Sequence, residues 1–413
     1  MPTLAEAILS KNTKKEVHAN DIIIANIDFV MSHDGTTPLA IEALAQMNKN
    51  VWNKDKSIIF FDHMVPSPSV QVAVLHQRIR TFTKEQEISN VFQEGICHQL
   101  MVEKKFAAPG RVIIGADSHT CSHGAVGCFA TGMGSTDVAV AYATGKTWLR
   151  VPETLQLNAE GKFASGVYPK DLILSMAKKV GAEGANYKAI EYTGDTVRNM
   201  SIEERMTLTS LAVEMGAKAG MVEADKTTME YTGGIGTPIK AENPEYEQSL
   251  DFQVEDIVPQ IAAPHRVDNV YDIDKYKDMH IDEVFVGTCT NGRISDLEVV
   301  AKILKGHKVN PDTRMVIVPA SATVQREAYK RGYADIFSEA GASFMNPGCG
   351  PCIGRHSGVL GPGEKALTTM NRNFQGRMGS PDAEIYLSSP ATAAVTAIKG
   401  VVTDPREFLD HSS

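Results

Sequence analysis

The sequence predicts an α/β protein of several domains built on parallel sheets, and three observations carry that expectation. At 413 residues the chain exceeds what one hydrophobic core usually holds, roughly 250 residues, so two or three domains are expected. Short runs that are apolar at nearly every position, "SIIFF", "RVIIGA", "DEVFVG" and "RMVIV", suit strands buried on both faces. Each run leads into a polar or glycine-rich corner and then a helical pattern, and parallel α/β sheets place their ligand sites at such strand ends.

In chain order, "SIIFF" leads to Asp62-His63 and "RVIIGA" to Asp117-Ser118-His119. "RVPETLQLNAEGK" starts a new strand-like segment near residue 152. In "NMSIEERMTLTSLAVEMGAKAG", Ser201 and Glu204 have capping-box spacing, and Gly216 and Gly220 suggest the helix end. That pattern places Ser210 and Glu214 one turn apart on a shared face, with Glu214 among apolar neighbours. Residues 238–279, rich in Pro, Asp, Glu and Tyr without a clear period, read as a long surface excursion or linker. "DEVFVG" then leads to Thr288-Cys289-Thr290-Asn291. Leu297, Val300, Ala301 and Leu304 follow at helical spacing, with Ser295 or Asp296 available as a cap. "RMVIV" leads to "PASAT". Soft boundaries near 152 and 278 give three expected α/β domains, 1–152, 153–278 and 279–413.

Composition narrows the classes. Hydrophobic residues at 43% and charged residues at 22% are ordinary for a globular chain, and the net charge of −9 offers no field for nucleic acid or anionic lipid. The N-terminal stretch has no apolar core of a signal peptide, and no run approaches the roughly 18 apolar residues of a membrane span, so a cytoplasmic protein is expected. Six cysteines are too sparse for a disulfide scaffold, which turns attention to metal ligation or redox chemistry.

Three of those cysteines stand on turn-forming corners, Cys289 in "GTCTNGR" and Cys349 and Cys352 in "NPGCGPCIGRHSG". A closed zinc site wants four ligands, and a thioredoxin-like Cys-Gly-Pro-Cys pair has no use for a distant third thiol. An iron-sulfur cluster is held by thiolates; three of them on a four-iron cluster would leave one iron open as a Lewis acid. Glycine and proline around Cys349 and Cys352 let backbone approach a bulky cluster. The glycine-rich stretch from Gly124 to Gly134 lacks the GxGxxG order of a dinucleotide loop.

Six stretches between residues 60 and 377, "FDHMVPS", "GICHQ", "GADSHTCSHGAVGCFATGMGSTD", "VGTCTNGR", "NPGCGPCIGRHSG" and "NRNFQGR", strongly resemble the aconitase superfamily. The similarity covers essentially the whole chain and is closest to the large subunit of the two-subunit members. It implies three α/β domains around a central iron-sulfur site. The family's swivelling fourth domain, with the catalytic serine, would be carried by a separate small subunit, in a heterodimer or heterotetramer.

The resemblance also implies roles. Cys289, Cys349 and Cys352 would bind one 4Fe-4S cluster with an open iron. Asp62 and His63 would assist protonation of the leaving hydroxyl, with His98, Asp117 and His119 completing the hydrogen-bond network and Glu214 placed nearby. Ser118, Asn371, Arg372 and Arg377 would bind a small di- or tricarboxylic acid, guanidinium forks matching carboxylates. Ser210 stands where the family usually has asparagine. His33, where aconitases carry glutamine, is like the isopropylmalate and homoaconitate branch and tilts the substrate away from citrate. The expected activity is a hydro-lyase isomerising a 2-hydroxy diacid, most often 3-isopropylmalate, with homoaconitate, citraconate and dimethylmalate open. A cluster-free RNA-binding regulator is the rival of a different class, disfavoured by the acidic balance.

Overall fold

The computed structural model describes residues 1–410, which fall into two compact units. One comprises Met1–Gln93, Cys97–Glu160 and Glu183–Phe252; the other comprises Glu94–Ile96, Gly161–Ala182 and the chain from Gln253. Among the described residues no helix is long and apolar enough to cross a membrane.

The first unit is organised by a five-stranded parallel sheet in the order Val91–Phe92, Ser57–Phe60, Phe29–His33, Val112–Gly115, Phe129–Gly132. Ser57–Phe60 and Val112–Gly115 are buried at every position, as unbroken apolar runs require when helices cover both faces. On one face Ile59 and Ile114 pack with Ala40, Leu44, Ile79, Phe82 and Val138; on the other Ile58 and Ile113 pack with Leu100, Met101 and Val126. The helix Val70–Glu85 begins where the Ser69 side chain accepts the Val72 N–H, and it buries His76, Ile79, Phe82 and Thr83 along one stripe. Losing that cap, as in Ser69→Ala, costs about 1 kcal/mol.

A four-stranded sheet in the same unit has the order Ala219–Met221, Ala189–Thr193, Thr154–Glu160, Gln248–Gln253. The predicted capping box is present: Ser201 accepts the Glu204 N–H and Glu204 accepts the Ser201 N–H. The helix it starts is shorter than its apolar pattern suggests. It ends at Ser210, whose hydroxyl bonds back to the Thr207 carbonyl, and Glu214 sits on a separate 3-10 turn, Ala212–Met215, stopped by Gly216 at φ 89°. Ser210 and Glu214 therefore do not share a helix face.

The second unit holds a seven-stranded sheet in the order Val270–Asp272, Gln260–Ala262, Glu384–Leu387, Lys365–Thr368, Glu283–Val286, Arg314–Ile317, Ser343–Phe344. The last five strands run parallel. The helices Ile294–Leu304, Tyr333–Ala340 and Pro390–Lys399 supply Leu297, Leu304, Phe337 and Val395 to its core. The first of these starts earlier than the two expected caps: Asp296 is already inside the helix and reaches back to accept the Arg293 N–H at 3.0 Å. The segment expected as an excursion carries three short strands, Gln248–Gln253, Gln260–Ala262 and Val270–Asp272, and the division between the units falls inside it. Strands of three to six residues are too short to show a period, which is why composition alone hid them.

Candidate active site

In the first unit, parallel strands deliver their chemistry at the carboxyl ends. Phe29–His33 ends on His33, Ser57–Phe60 runs into Asp62-His63, and Val112–Gly115 runs into Asp117. Asp117 is the hub. Its Oδ1 caps the 3-10 turn Ser118–Val126 by accepting the His119 N–H at 2.7 Å, and the same oxygen lies 2.9 Å from His98 Nε2. Its Oδ2 faces His33 Nε2 at 3.4 Å and His63 Nε2 at 3.5 Å. These two imidazoles are stacked, 3.7 Å between centroids and 15° between planes. Two rings at van der Waals contact present their edges to one carboxylate oxygen.

Each imidazole is held from behind. Asp62, fully buried, lies 2.8 Å from His63 Nδ1 and accepts the Cys97 N–H at 2.7 Å. His119 Nε2 lies 2.9 Å from Glu214 Oε1, so the turn that separates Glu214 from Ser210 brings its carboxylate to a histidine 95 positions earlier. His98 Nδ1 faces His123 Nε2 at 3.4 Å. Ser118 lies beside His119 and lines a cavity of about 500 Å³ with Asp117, Met133, Trp148 and Lys218.

The electrostatics follow from burial set against these contacts. Burial and the neighbouring His63 pull the His33 pKa down, yet hydrogen bonds to Asp117 and Asp34 outweigh them and hold it above its ordinary value. Burial dominates at His98 and His123 and pushes both below theirs, His123 strongly. Burial would raise Asp62 and Asp117, but the surrounding histidines hold both below the usual carboxylate range. The site thus keeps charged carboxylates beside imidazoles of different basicity.

Three members of this network were not singled out from sequence: His123, described above, Asp34 and His76. Asp34, fully buried, accepts the His63 N–H at 3.1 Å and the Met64 N–H at 2.9 Å, and lies 3.2 Å from His76 Nε2. His76 Nδ1 in turn meets the Ser67 hydroxyl at 2.9 Å. Asp34 stands beside His33 in "MSHDGTT", the same kind of signal that drew attention to Asp62-His63; His76, on the buried stripe of a helix, carried none.

In the second unit, Cys289 lies on the short helix Thr288–Asn291 after strand Glu283–Val286, entered through Thr288 at φ 76°. Cys349 caps and Cys352 lies within the 3-10 turn Gly350–Ile353 after strand Ser343–Phe344, with the Cys352 N–H donating to the Cys349 carbonyl at 3.2 Å and Gly354 closing it at φ 63°. All three thiols are buried. Asn371, past the end of strand Lys365–Thr368, joins two of them: its Nδ2 donates to Cys289 Sγ at 3.4 Å and its Oδ1 lies 3.9 Å from Cys352 Sγ. Arg377 reaches Cys352 Sγ at 3.6 Å. Arg293, fully buried, donates to the carbonyls of Thr290 and Cys289 and fixes that corner. Arg372 is half-buried with its guanidinium 5.7 Å from the Phe374 ring centroid. Cys97, Cys121 and Cys128 are buried in the first unit, and Cys128 donates to the His123 carbonyl, as small core residues do.

Among the described residues, two groups of histidine and carboxylate side chains have the spacing to hold a metal. The histidine and carboxylate atoms of His33, Asp34, Asp62 and His63, and those of His98, Asp117 and His119, each lie within 4.8 Å of one another. Their oxygens already accept backbone N–H groups, which reads as a hydrogen-bond network. The buried thiols of Cys289, Cys349 and Cys352 are soft donors, with an amide directed at Cys289 and a guanidinium at Cys352, and they fit an iron-sulfur group.

Fold and site together define a class: an α/β protein with a buried thiol centre on one unit and a carboxylate-histidine proton network on the other. The comparisons with known proteins specify it. The family described as "Aconitase family (aconitate hydratase)" matches residues 6–278 and 271–400. The chain is 48% identical over 415 aligned positions to "3-isopropylmalate dehydratase large subunit 1" of Methanopyrus kandleri, covering 98% of this chain and 99% of that one. It is 47% identical to "3-isopropylmalate dehydratase large subunit 2" of Archaeoglobus fulgidus, with 98% and 99% covered, and 44% identical to "Methanogen homoaconitase large subunit" of Methanocaldococcus jannaschii, with 97% and 99% covered. The solved structure of Thermococcus kodakaraensis aconitase X, in its holo-form, aligns with a TM-score of 0.52 at 11% identity, covering 94% of this chain and 90% of that one, a likeness of fold. The chain belongs to the aconitase family, and membership carries with it a 4Fe-4S cofactor.

Proposed function

We propose that this chain is the large subunit of a 3-isopropylmalate dehydratase, a hydro-lyase that isomerises 2-isopropylmalate and 3-isopropylmalate by dehydration and rehydration. The names of relatives matched over nearly their full length support the substrate, and the Asp117 hub with its stacked imidazoles is the observation that carries the reaction type. In this reading Cys289, Cys349 and Cys352 hold one 4Fe-4S cluster and leave one iron without a protein ligand. When bound, that group supplies a Lewis acid that weakens the C–O bond of the substrate hydroxyl.

The chain's own residues handle the proton and the substrate. His63, oriented through Nδ1 by Asp62, delivers a proton from its ring to the departing hydroxyl, and Asp117 stabilises the protonated ring. Glu214 holds His119 as His98 is held by Asp117, so the released water meets a fixed set of donors and acceptors. Arg372 and Arg377 clamp the substrate carboxylates, with Asn371, Ser118 and His33 completing recognition. Removing the proton α to a carboxylate falls to a serine on a small subunit that also carries the swivelling domain, and the "large subunit" names of the relatives support such a partner. The division into 1–152, 153–278 and 279–413, and a cytoplasmic setting, belong to the same reading. Homoaconitate is the second reading, favoured by one relative at 44% identity; dimethylmalate stands behind it.

The test is turnover by the anaerobically purified chain, alone and paired with its small subunit, on 3-isopropylmalate, homoaconitate, citraconate and dimethylmalate. The expected result is little or no turnover alone and preference for 3-isopropylmalate when paired. Full activity of the single chain overturns the partner assignment. Salt-dependent RNA binding by the cluster-free chain, with an inactive pair, would favour a regulatory role.

A further inference from the structure

The second unit contains a buried amine whose surroundings point to the thiol centre. Lys170 is the second residue of helix Pro169–Val180 and is 0% exposed. A helix N-terminus favours anions, so a lysine there opposes the macrodipole as well as losing its hydration. Its ammonium donates to the Thr369 carbonyl at 2.8 Å and the Met370 carbonyl at 2.7 Å. An ammonium has three N–H donors, and the third has no protein acceptor among the described residues. No carboxylate pairs with it there either; Asp171, its neighbour in sequence, is directed away to the backbone N–H groups of Tyr168 and Gln260. Isolated buried charge is expensive, and an anion brought near such an amine favours its protonated form.

The anion is indicated by what surrounds the amine. The two carbonyls it holds directly precede Asn371, whose amide joins Cys289 and Cys352. The Thr369 hydroxyl accepts the Gly287 N–H at 3.1 Å, two residues before Cys289, so Lys170 anchors the segment that ties the cysteine corners together. Asp296, Asp171, Cys289 and Cys352 are the groups whose charge acts on the amine, which burial draws down to about 7 while they oppose it.

We propose that Lys170 is a positioning residue for the iron-sulfur centre, a fixed buried counter-charge whose third N–H is directed to a sulfur of the bound cluster. The inference rests on the cluster reading above. A cation fixed near an anionic cluster favours the state with the added electron, so removing it makes the cluster harder to reduce, and pinning Thr369 and Met370 keeps Asn371 in place.

The experiment compares Lys170→Met, Lys170→Gln and Lys170→Arg with wild type in the full chain, loaded anaerobically with iron and sulfide. Iron and sulfide content, circular dichroism and a reduction-potential titration followed by electron paramagnetic resonance are measured. At the wild-type midpoint, Met and Gln are expected to change the reduced-to-oxidised ratio on the order of tenfold towards oxidised, the scale of one charge at intermediate dielectric, with Arg restoring most of it. Neutral variants with the wild-type ratio, or Arg displaced as far as Met, overturn the role of Lys170. If Met does not fold, Gln against Arg decides by the same criterion; if neither neutral variant folds, an Arg variant displaced from wild type overturns it and one that matches supports it. A wild-type chain that takes up neither iron nor sulfide overturns the cluster reading and this inference together, which separates the two failures.

Discussion

Replacing Asp117 by asparagine preserves shape and removes the charge at the centre of the histidine network. Asp117 Oδ1 accepts from His119 N–H at 2.7 Å and faces His98 Nε2 at 2.9 Å, while Oδ2 faces His33 and His63 at 3.4 and 3.5 Å. An asparagine keeps Oδ1 as a neutral acceptor, which forfeits roughly half the strength of two charge-assisted bonds, about 1 kcal/mol each. On the other side its amide N–H groups meet two imidazole edges that were facing an acceptor, and leaving such a contact unsatisfied costs about 1–2 kcal/mol more. The expected loss is therefore about 3–4 kcal/mol of local stability, with cluster loading intact because Cys289, Cys349 and Cys352 belong to the other unit. His33 loses the largest contribution that raises its pKa, so its basicity falls. Turnover by the complex should fall about 10²- to 10⁴-fold, the usual contribution of positioned acid-base groups. The assay is ultraviolet detection of the unsaturated diacid under anaerobic conditions, with iron content measured on the same sample. A loaded Asp117→Asn complex turning over within about threefold of wild type would refute the hub's role.

Serine at Cys289, Cys349 or Cys352 should abolish iron and sulfide retention and the visible absorption that accompanies them, while serine at Cys97, Cys121 or Cys128 leaves both in place. Stability should fall as pH drops from about 7 to about 5: His98 and His123 have folded pKa values below 6.5, so the unfolded chain binds the extra protons. His33 works the other way, its share being complete below its unfolded value and lost as pH rises through its folded one. Thermal melts across that range check the net slope, and His123→Gln should flatten it; a slope that steepens contradicts the burial argument. Arg377→Lys should raise KM for substrate about tenfold or more with a smaller effect on kcat, through loss of a bidentate fork. Glu214→Gln should lower kcat and shift its pH profile, since it changes the partner of His119, and an unmoved profile would count against that contact being functional.

Some of this was legible in one dimension. Apolar runs ending in polar corners located the strands Ser57–Phe60, Val112–Gly115, Glu283–Val286 and Arg314–Ile317, because a strand buried on both faces leaves no polar position to interrupt the run. Cysteines on glycine-rich turns marked the thiols proposed as cluster ligands, since backbone that bends so tightly serves close approach rather than regular structure. Helix ends and short strands were less legible: the stop after Ser210 depends on a local side-chain bond and a left-handed glycine, and the strands within 248–272 gain their identity from neighbours in the sheets.

By itself the sequence determined the chemical inventory, the α/β alternation and the corners where reactive side chains sit. Tertiary structure alone decided that His33, His63, His98 and His119 converge on one carboxylate, that Glu214 faces His119 across 95 positions, and that Asn371 reaches back 82 positions to Cys289. Composition records which groups exist, but hydrogen bonds act over about 3 Å. Which groups come that close is set by strand order and by the turns that aim each side chain, and those depend on the whole packed sheet.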